Sequence, residues 1–307
     1  MTSAPVDMSV QVGPLALRSP VTVASGTFGF GEEYAAYVDL TSLGAIVTKA
    51  VTLEPRTGNP GPRVWETSAG MLNSIGLQNP GIEAVVAEKL PGLVSLGVPV
   101  IVNIAGETVG EYVELARRLG QVEGLAALEV NVSCPNVDRG GMEFCADRTA
   151  LAEVVAAVRD ATHLPLVVKL SPNVGDIVPV AETALTAGAA VLSLINTLVG
   201  MAIDARRRRP RLVRGTGGLS GPAIKPVALA MVWRVWRALR CPIIGMGGIM
   251  TGEDAAEFLL AGAAAVAVGT ASFVDPTSAC RVGLELDEFC RREGVAAVAE
   301  LTGALRA

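Results

Sequence analysis

Short runs rich in Val, Ile, Leu and Ala recur along the chain, and each is bounded by Gly, Pro or Asn. The runs do not alternate polar and apolar residues, which is typical of parallel strands buried on both faces. The pattern predicts eight strands, at Val21–Ser25, Ala45–Ala50, Pro99–Ala105, Ala127–Ser133, Leu166–Leu170, Ala190–Asn196, Pro242–Gly248 and Ala265–Ala271.

Helical patterns lie between these strands. Val109–Leu119 carries apolar residues at helical spacing, Leu151–Val158 and Val227–Leu239 do the same, and Asp254–Leu260 follows a helix-start signal at Thr251. Eight βα units predict an α/β protein with one (β/α)8 TIM barrel. A doubly wound open sheet is the alternative.

Two intervals between predicted strands are long, residues 51–98 and 197–241. In a barrel they are βα-loop insertions over the C-terminal face, where active sites are built. No linker or shift in composition divides the chain, and barrels of this size often form one domain. We therefore expect a single domain over residues 1–307.

The segment Thr183–Ile203 has 21 residues without a charge, which is long enough to span a bilayer. Glycine and polar residues interrupt it, so we predict a helix end, a turn and a buried strand, and no membrane association. The N-terminus lacks a basic stretch followed by an apolar run, and the cysteine count of 5 is odd. Both features favour a cytoplasmic protein.

Composition excludes several classes of function. Half of the residues are apolar and 18% are charged, which is incompatible with a disordered chain. The net charge of −5 does not favour nucleic-acid binding. One basic run stands out, Arg206–Arg209 with Arg211 and Arg214, and we interpret it as a solvated loop face. Docking or substrate steering is the alternative.

The chain has one histidine, His163, between a predicted helix and a predicted strand. A Ser-His-Asp triad, a histidine general acid and a multi-histidine metal site are therefore disfavoured, and His163 is expected to be a structural or surface residue. The cysteines form no C-x-x-C pair, so no zinc or iron–sulfur site is expected within the chain.

Polar residues stand at the carboxyl ends of the predicted strands, where barrel enzymes place their chemistry. Their burial is costly unless they meet a ligand or one another. The set comprises Ser25, Lys49, Asn103, Asn131, Lys169, Asn196 and Thr197. Its spread over many strands favours a ligand site over isolated loop caps.

The last two strands end in glycine turns, Gly245–Ile249 and Gly269–Ala271. Such turns, with a following helix N-terminus, often hold a phosphate. Cys134 follows the fourth strand and is flanked by Asn131, Ser133 and Asn136. Its thiol could be a base, a nucleophile or an inert buried group. We interpret the other four cysteines as structural.

Longer motifs resemble a known family. They are Ala24-Ser-Gly-Thr-Phe-Gly-Phe-Gly31, Met71-Leu-Asn-Ser-Ile-Gly-Leu-Gln-Asn-Pro-Gly81, Asn131-Val-Ser-Cys-Pro-Asn136, Lys169-Leu-Ser-Pro-Asn173, Ile195-Asn-Thr197 and Ser220-Gly-Pro-Ala-Ile-Lys-Pro226. From about Val12 to the last helix the chain resembles the class 1 dihydroorotate dehydrogenases. The residues of its motifs are most similar to those of subclass 1B.

The resemblance implies an FMN enzyme that oxidises (S)-dihydroorotate to orotate in de novo pyrimidine biosynthesis. Cys134 would remove the C5 proton, and N5 of FMN would accept the C6 hydride. The substrate would bind Lys49, Asn73, Ser74, Ile75, Gly76, Leu77, Asn131, Asn196 and Thr197. FMN would bind Ser25, Lys49, Ala50, Asn103, Asn131, Lys169, Ile195, Gly221, Gly247, Gly248, Gly269 and Thr270.

The resemblance also implies an electron-transfer partner that carries FAD and a [2Fe–2S] cluster and passes electrons to NAD⁺. Two catalytic and two electron-transfer chains would form a heterotetramer. The nearest rival is a subclass 1A homodimer that reduces fumarate. Two further hypotheses are that the chain is a different FMN-binding barrel, such as a pyrimidine-base or dihydrouridine reductase, or that it is a non-catalytic barrel that binds a partner. Cys134 and the lack of an N-terminal extension disfavour the membrane-associated class 2 enzymes, which use a serine base.

Overall fold

Eight parallel strands form a closed barrel in the computed structural model, which describes residues 5–133, 135–136 and 142–306. We number these strands β1 Val21–Val23, β2 Ile46–Val47, β3 Val100–Ile104, β4 Leu125–Asn131, β5 Leu166–Lys169, β6 Val191–Leu194, β7 Ile243–Met246 and β8 Ala265–Val268. Each strand pairs with its neighbours in sequence, and β8 pairs with β1. A parallel bridge between Thr22 and Ala45 joins β1 to β2 and closes the ring. The predicted barrel is confirmed, and the open sheet was wrong.

The strands are apolar because both of their faces are covered, one by the barrel interior and the other by helices. All residues of β3 and β8 are buried. The predicted runs extend beyond several strands at their carboxyl ends. There the chain turns outward into loops, and Ser, Asn and Gly replace the apolar residues.

Eight α-helices accompany the strands in the described residues. We number them α1 Leu90–Ser95, α2 Val109–Leu119, α3 Arg148–Ala161, α4 Ile177–Thr186, α5 Lys225–Leu239, α6 Gly252–Leu260, α7 Ala271–Val274 and α8 Ser278–Glu293. A short helical turn at Ile82–Ala84 and a π-helical segment at Val85–Lys89 lead into α1. The four helices predicted from periodicity are confirmed as α2, α3, α5 and α6.

The first βα unit departs from the predicted pattern. Only a 3-10 turn, Leu40–Ser42, separates β1 from β2. Gly26, Gly29 and Gly31 in this connection have φ angles of 86°, 56° and 85°. A right-handed helix cannot run through residues at positive φ, so this glycine-rich segment forms successive turns instead.

The two long intervals fold together over the carboxyl ends of the barrel strands. They contribute four strands to one antiparallel sheet, in the order Leu198–Met201, Thr216–Ser220, Gly70–Asn73 and Val64–Thr67. Gly218 pairs with Asn73, which joins the insertion after β6 to the insertion after β2. The prediction that both intervals are βα-loops over this face is confirmed.

Small elements complete the described chain. The hairpin Val10–Val12 and Leu15–Leu17 lies across the amino ends of β6 and β7, because Gly13 packs against Ala190, Val191 and Pro242. Two further hairpins pair Pro135–Asn136 with Met142–Glu143 and Ile203–Asp204 with Arg209–Pro210. One-turn 3-10 helices occur at Phe144–Ala146, Pro222–Ile224 and Val298–Leu301.

The uncharged segment Thr183–Ile203 divides as predicted into the end of α4, a turn, β6 and the strand Leu198–Met201. Across the described ranges, no helix has both the length and the apolar character needed to cross a membrane.

The basic run and the lone histidine both lie at the surface. Arg206–Arg209 forms the exposed end of a short hairpin. Arg211 instead pairs with Asp204 at 2.8 Å and stacks over Trp65 at 4.4 Å from the ring centroid. His163 is exposed in the turn between α3 and β5, as expected.

Candidate active site

A cavity of about 970 Å³ opens at the carboxyl ends of the barrel strands. Its floor consists of the strand ends, and its roof includes Asn73 and Gly218 of the antiparallel sheet. Most of its lining is apolar, with a few polar side chains from separate strands, which is the usual make-up of a small-molecule site.

The cavity brings together the predicted site residues from both halves of the chain. Those that line it are Ser25, Lys49, Ala50, Asn73, Ser74, Ile75, Gly76, Leu77, Asn131, Lys169, Ile195, Asn196, Thr197, Gly221, Gly247, Gly248, Gly269 and Thr270. Asn103 lies in a layer beneath the lining, where its amide nitrogen donates to Ser25 Oγ at 3.3 Å. Cys134, the predicted base, lies outside the described residues.

An amide cluster forms the part of the cavity wall where β4 ends. Asn196 Nδ2 donates to Ser133 Oγ at 2.9 Å and to Asn131 Oδ1 at 3.3 Å. The side-chain oxygen of Asn196 accepts the backbone N–H of Thr197 at 2.8 Å. The cluster therefore fixes the orientation of its side chains before any ligand binds, which lowers the entropic cost of binding.

The loop after Gly70–Asn73 supplies another part of the cavity wall. Asn73 Nδ2 donates to the Gly218 carbonyl at 3.4 Å, so the two insertions hold each other in place. Leu77 has a φ angle of 55°, which bends the chain sharply around the cavity. Ser74 Oγ is buried, and no group in the described part of the chain hydrogen-bonds it. A buried hydroxyl without a partner indicates a place where a ligand supplies one.

Lys49 is half-buried in the cavity wall. Burial lowers the pKa of its ammonium group, the nearby Arg63 lowers it further, and Glu33 opposes part of this change. Two cations that face one cavity repel each other and favour an anionic ligand between them.

Lys169 ends β5 and is 5% exposed, although it lines the cavity. Its ammonium group donates to Ser25 Oγ at 3.1 Å. The same serine accepts from Asn103, so three strand ends are tied together at the cavity floor. The lysine thus presents a nearly dry positive charge to a ligand.

Three glycines of the cavity wall come from two connections, the one before α5 and the one after β7. Gly221, Gly247 and Gly248 have φ angles of 93°, 129° and 83°. A Cβ on Gly248 would lie 2.8 Å from the Gly221 carbonyl oxygen, and one on Gly221 would lie 2.7 Å from Gly70 Cα. Only glycine allows this close approach of backbones, which leaves N–H groups accessible to a ligand.

The N-terminus of α6, expected to face a phosphate, is occupied by side chains of the protein. Asp254 accepts the N–H groups of Met250 and Thr251, and Thr251 accepts that of Asp254. Glu285 accepts the N–H of Gly252 at 2.8 Å. The glycine turns, and not this helix, therefore provide the available backbone donors.

The described cysteines are poor candidates for a reactive thiol. Cys145, Cys241, Cys280 and Cys290 are free. Burial raises the pKa of Cys145 to about 12 and that of Cys241 to about 11, so their thiolates are scarce at neutral pH. Burial also raises the pKa of Cys280 and of Cys290. The structural interpretation of these four residues fits their environment.

Several polar residues at the site are additional to the sequence prediction. Ser133, Glu143 and Arg63 line the cavity, and Glu129 and Ser193 lie buried directly below it. Burial raises the pKa of Glu143, and a hydrogen bond from Ser171 partly offsets this. The signal for Glu129 was present, because a carboxylate inside a strand buried on both faces requires a partner.

Comparison with known proteins identifies the family. The family model described as dihydroorotate dehydrogenase matches residues 7–290. The chain belongs to the dihydroorotate dehydrogenase family. The membership accounts for the recurrence of the family's motifs at the strand ends, since residues 7–290 include all eight barrel strands and both insertions.

Curated relatives within this dihydroorotate dehydrogenase family are similar over nearly their whole length. Proteins named dihydroorotate dehydrogenase B (NAD(+)), catalytic subunit, are 55% identical in Geotalea daltonii, over 98% of both chains, and 56% identical in Geobacter sulfurreducens, over 97% of this chain and 98% of its relative. The protein of that name from Trichlorobacter lovleyi is 57% identical over 97% of this chain and 98% of its own length. The subclass 1B resemblance is thereby confirmed.

Proposed function

We propose that this chain is the catalytic subunit of an NAD⁺-linked dihydroorotate dehydrogenase and oxidises (S)-dihydroorotate to orotate in pyrimidine biosynthesis. The observation that carries the proposal is the convergence of Lys49, Lys169, the amide cluster and the glycine turn on one cavity. These groups suit a planar, anionic, hydrogen-bonding substrate beside a phosphorylated cofactor. The names of the curated relatives support the same activity.

The cavity fits FMN. The close packing of Gly221, Gly247 and Gly248 against neighbouring backbone and side chains depends on the absence of a Cβ there. The backbone N–H groups of these glycines would hold the FMN phosphate. Lys169 would lie against the ring and stabilise negative charge that accumulates on reduction. The other proposed FMN contacts are Ser25, Lys49, Ala50, Asn103, Asn131, Ile195, Gly269 and Thr270.

The substrate would occupy the part of the cavity between Lys49 and the amide cluster. Lys49 would neutralise the substrate carboxylate, and Ser74 Oγ would gain a hydrogen-bond partner, which no described residue provides. Asn131, Asn196 and Thr197 would orient the ring, with the backbone of residues 73–77 on its other edge. The substrate would then lie beside Asn131, which precedes Cys134 by three residues in the sequence.

Cys134 would take the C5 proton as a thiolate, and its neighbours Asn131 and Ser133 are both held by Asn196. When bound, FMN supplies the two-electron acceptor for the hydride that leaves C6. The carbon–carbon double bond of orotate forms as these two bonds break. The other cysteines, of which two have pKa values near 11 and 12, are unsuited to this role.

A partner subunit would carry the electrons from this chain to the final acceptor. The name "catalytic subunit" given to the relatives supports a separate electron-transfer subunit. We propose that the partner holds FAD and a [2Fe–2S] cluster, that two chains of each kind assemble, and that NAD⁺ accepts the electrons. Among the described residues no group of His, Cys, Asp and Glu could hold a metal ion. We propose that residues 1–307 act as one catalytic domain in the cytoplasm.

The acceptor assay tests this function. We expect the purified chain to bind FMN and to oxidise dihydroorotate slowly alone, but rapidly with NAD⁺ once the electron-transfer subunit is added. Full-rate fumarate reduction by the chain alone would instead support the subclass 1A alternative. An FMN-loaded chain that leaves dihydroorotate unoxidised would support a different FMN barrel, and a folded chain without FMN affinity would support a binding module.

We expect orotate affinity to depend on pH through Lys49. Because burial lowers the pKa of Lys49, this residue loses its proton at a lower pH than an exposed lysine does, and it then attracts an anion less. The dissociation constant of orotate should therefore rise on the alkaline side. Lys49→Met should bind orotate at least about tenfold more weakly near neutral pH, which corresponds to about 1.4 kcal/mol. Its dissociation constant should not show this alkaline limb, the rise at high pH that deprotonation of Lys49 causes.

Titration of orotate against the FMN-loaded protein, followed by flavin absorbance from about pH 6 to about pH 10, would measure this effect. Lys89→Met is the matched control, since Lys89 is a surface lysine paired with Glu32. An identical alkaline limb in Lys49→Met and in the unmodified protein would exclude Lys49 as its origin.

A further inference from the structure

A carboxylate lies inside the barrel beneath the cavity. Glu129 occupies β4 two residues before Asn131, so both side chains point to the barrel interior and Glu129 lies one layer deeper. Glu129 is 2% exposed. A charge at this depth is costly to bury unless it is paired and hydrogen-bonded.

Both oxygens of this carboxylate have partners on other strands of the barrel. Asn103 Nδ2, from β3, donates to Oε1 at 2.6 Å. Ser193 Oγ, from β6, donates to Oε2 at 2.9 Å. Both partners are fully buried, so the position of the carboxylate is fixed from two sides.

Lys169 supplies the opposite charge. Its Nζ lies 3.9 Å from Glu129 Oε1, and in the part of the chain that the structure describes no other cation lies within 4.0 Å of this carboxylate. The ammonium group donates its hydrogen bond to Ser25 Oγ at 3.1 Å and not to Glu129. It is therefore drawn towards the carboxylate without being fully engaged by it, and it remains directed at the cavity.

We infer that Glu129 is a positioning residue, which holds the Lys169 ammonium group at the cavity floor and determines how much of its positive charge reaches a bound flavin. The inference rests on the proposed function, because it assumes that FMN occupies this cavity. It assigns a role in flavin reduction to a residue that is not itself part of the cavity lining.

The charges of Glu129 and Lys169 determine the direction in which loss of the carboxylate would change the reduction potential of bound FMN. A buried carboxylate 3.9 Å behind the ammonium group offsets part of its field. Without the negative charge, Lys169 would stabilise a reduced, negatively charged flavin more strongly. The reduction potential of FMN should then become more positive, and FMN should be reduced more readily at equilibrium.

The test removes the negative charge of Glu129 and keeps the shape of its side chain. Glu129→Gln retains an oxygen that can accept from Asn103 and removes the negative charge. We expect the equilibrium constant for two-electron reduction of bound FMN to increase at least about tenfold, which is about 30 mV for a two-electron couple. Spectroelectrochemical titration of the FMN-loaded protein measures this, and fluorescence quenching on titration of the FMN-free protein with FMN gives the affinity of the oxidised state.

Two variants distinguish charge from structure. Glu129→Asp keeps the charge and should keep a potential close to that of the unmodified protein. Ser193→Ala removes one hydrogen bond to the same carboxylate without changing charge, and should also leave the potential nearly unchanged. A purely structural role for Glu129 predicts equal potentials in Glu129→Gln and the unmodified protein, and that result would overturn the inference.

A further pair keeps the test decisive if Glu129→Gln does not fold with Lys169 unpaired. Lys169→Gln and the double variant Glu129→Gln/Lys169→Gln differ by the same negative charge, and the double variant contains no unpaired ion at this position. The potential should again be more positive in the double variant, because the negative field of Glu129 at the flavin is removed whether or not Lys169 is present. Equal potentials would contradict the electrostatic part of the inference. FMN binding by the unmodified protein separates the two claims, because its failure would refute the proposed function first.

Discussion

Replacing Cys134 with serine should leave FMN bound and lower the rate of flavin reduction by dihydroorotate about 10²- to 10⁴-fold near neutral pH. The reason is the acidity of the base. A thiol beside polar and cationic groups ionises at accessible pH, whereas a serine hydroxyl does not ionise there without a strong base of its own. Rapid mixing of the FMN-loaded variant with dihydroorotate in the absence of oxygen measures the rate directly.

Cys280→Ser is the matched control for this substitution. Cys280 is free and partly buried, and its thiol accepts a hydrogen bond from Ser42 Oγ at 3.1 Å. It does not line the cavity, so the rate should remain that of the unmodified protein. A full rate in Cys134→Ser with FMN bound would show that another group takes the C5 proton.

Replacing Gly248 with alanine should weaken FMN binding about 100-fold, which corresponds to a loss of about 2.7 kcal/mol in binding. The new Cβ would lie 2.8 Å from the Gly221 carbonyl oxygen and 2.9 Å from Lys225 Cβ, at a φ angle of 83°. Backbone at positive φ strains an alanine by about 1–3 kcal/mol, and the overlap with Gly221 would displace the turn that offers its N–H groups to the phosphate.

Gly215→Ala is the control that separates backbone strain at positive φ from steric overlap of the new Cβ with its neighbours. Gly215 also has a positive φ angle, 81°, but no atom lies within 4 Å of its Cβ position, and it lies outside the cavity lining. It should lose some thermal stability and bind FMN with unchanged affinity. Fluorescence titration of the two FMN-free variants gives both affinities, and equal affinities would refute the assignment of the Gly248 turn to the phosphate.

The barrel could be predicted because its strands carry a local signal. Runs such as Leu166–Val168 and Ala265–Val268 are apolar on both faces, and a polar residue or glycine follows each of them. The connection between β1 and β2 was less predictable, because its glycines adopt positive φ angles that form turns in place of a helix. The pairing of Gly218 with Asn73 was also hidden, since it joins insertions 145 residues apart.

The site was predictable where a polar residue ends an apolar strand. Ser25, Lys49, Asn131, Lys169 and Asn196 all reach the same cavity, because the carboxyl ends of barrel strands meet on one face. The positions at residues 73–77 followed from family resemblance alone, since loop residues carry no periodic signal of their own.

Two residues of the layer beneath the cavity, Glu129 and Ser193, escaped prediction. Glu129 and Ser193 lie within strands, and their importance depends on which residues of β3 and β5 stand beside them in register. The N-terminus of α6 is the opposite case. The sequence suggested a phosphate site there, but the side chains of Thr251, Asp254 and Glu285 use its N–H groups.

Anaerobic addition of dihydroorotate to the purified, FMN-loaded chain tests the central claim most directly. Our account predicts that the visible absorbance of oxidised flavin disappears and that one orotate forms for each FMN reduced, without any partner present. Cys134→Ser should bind FMN equally well and bleach much more slowly. Bound FMN that stays oxidised in excess dihydroorotate, with no orotate formed, would contradict the assignment of this cavity as a dihydroorotate-oxidising site.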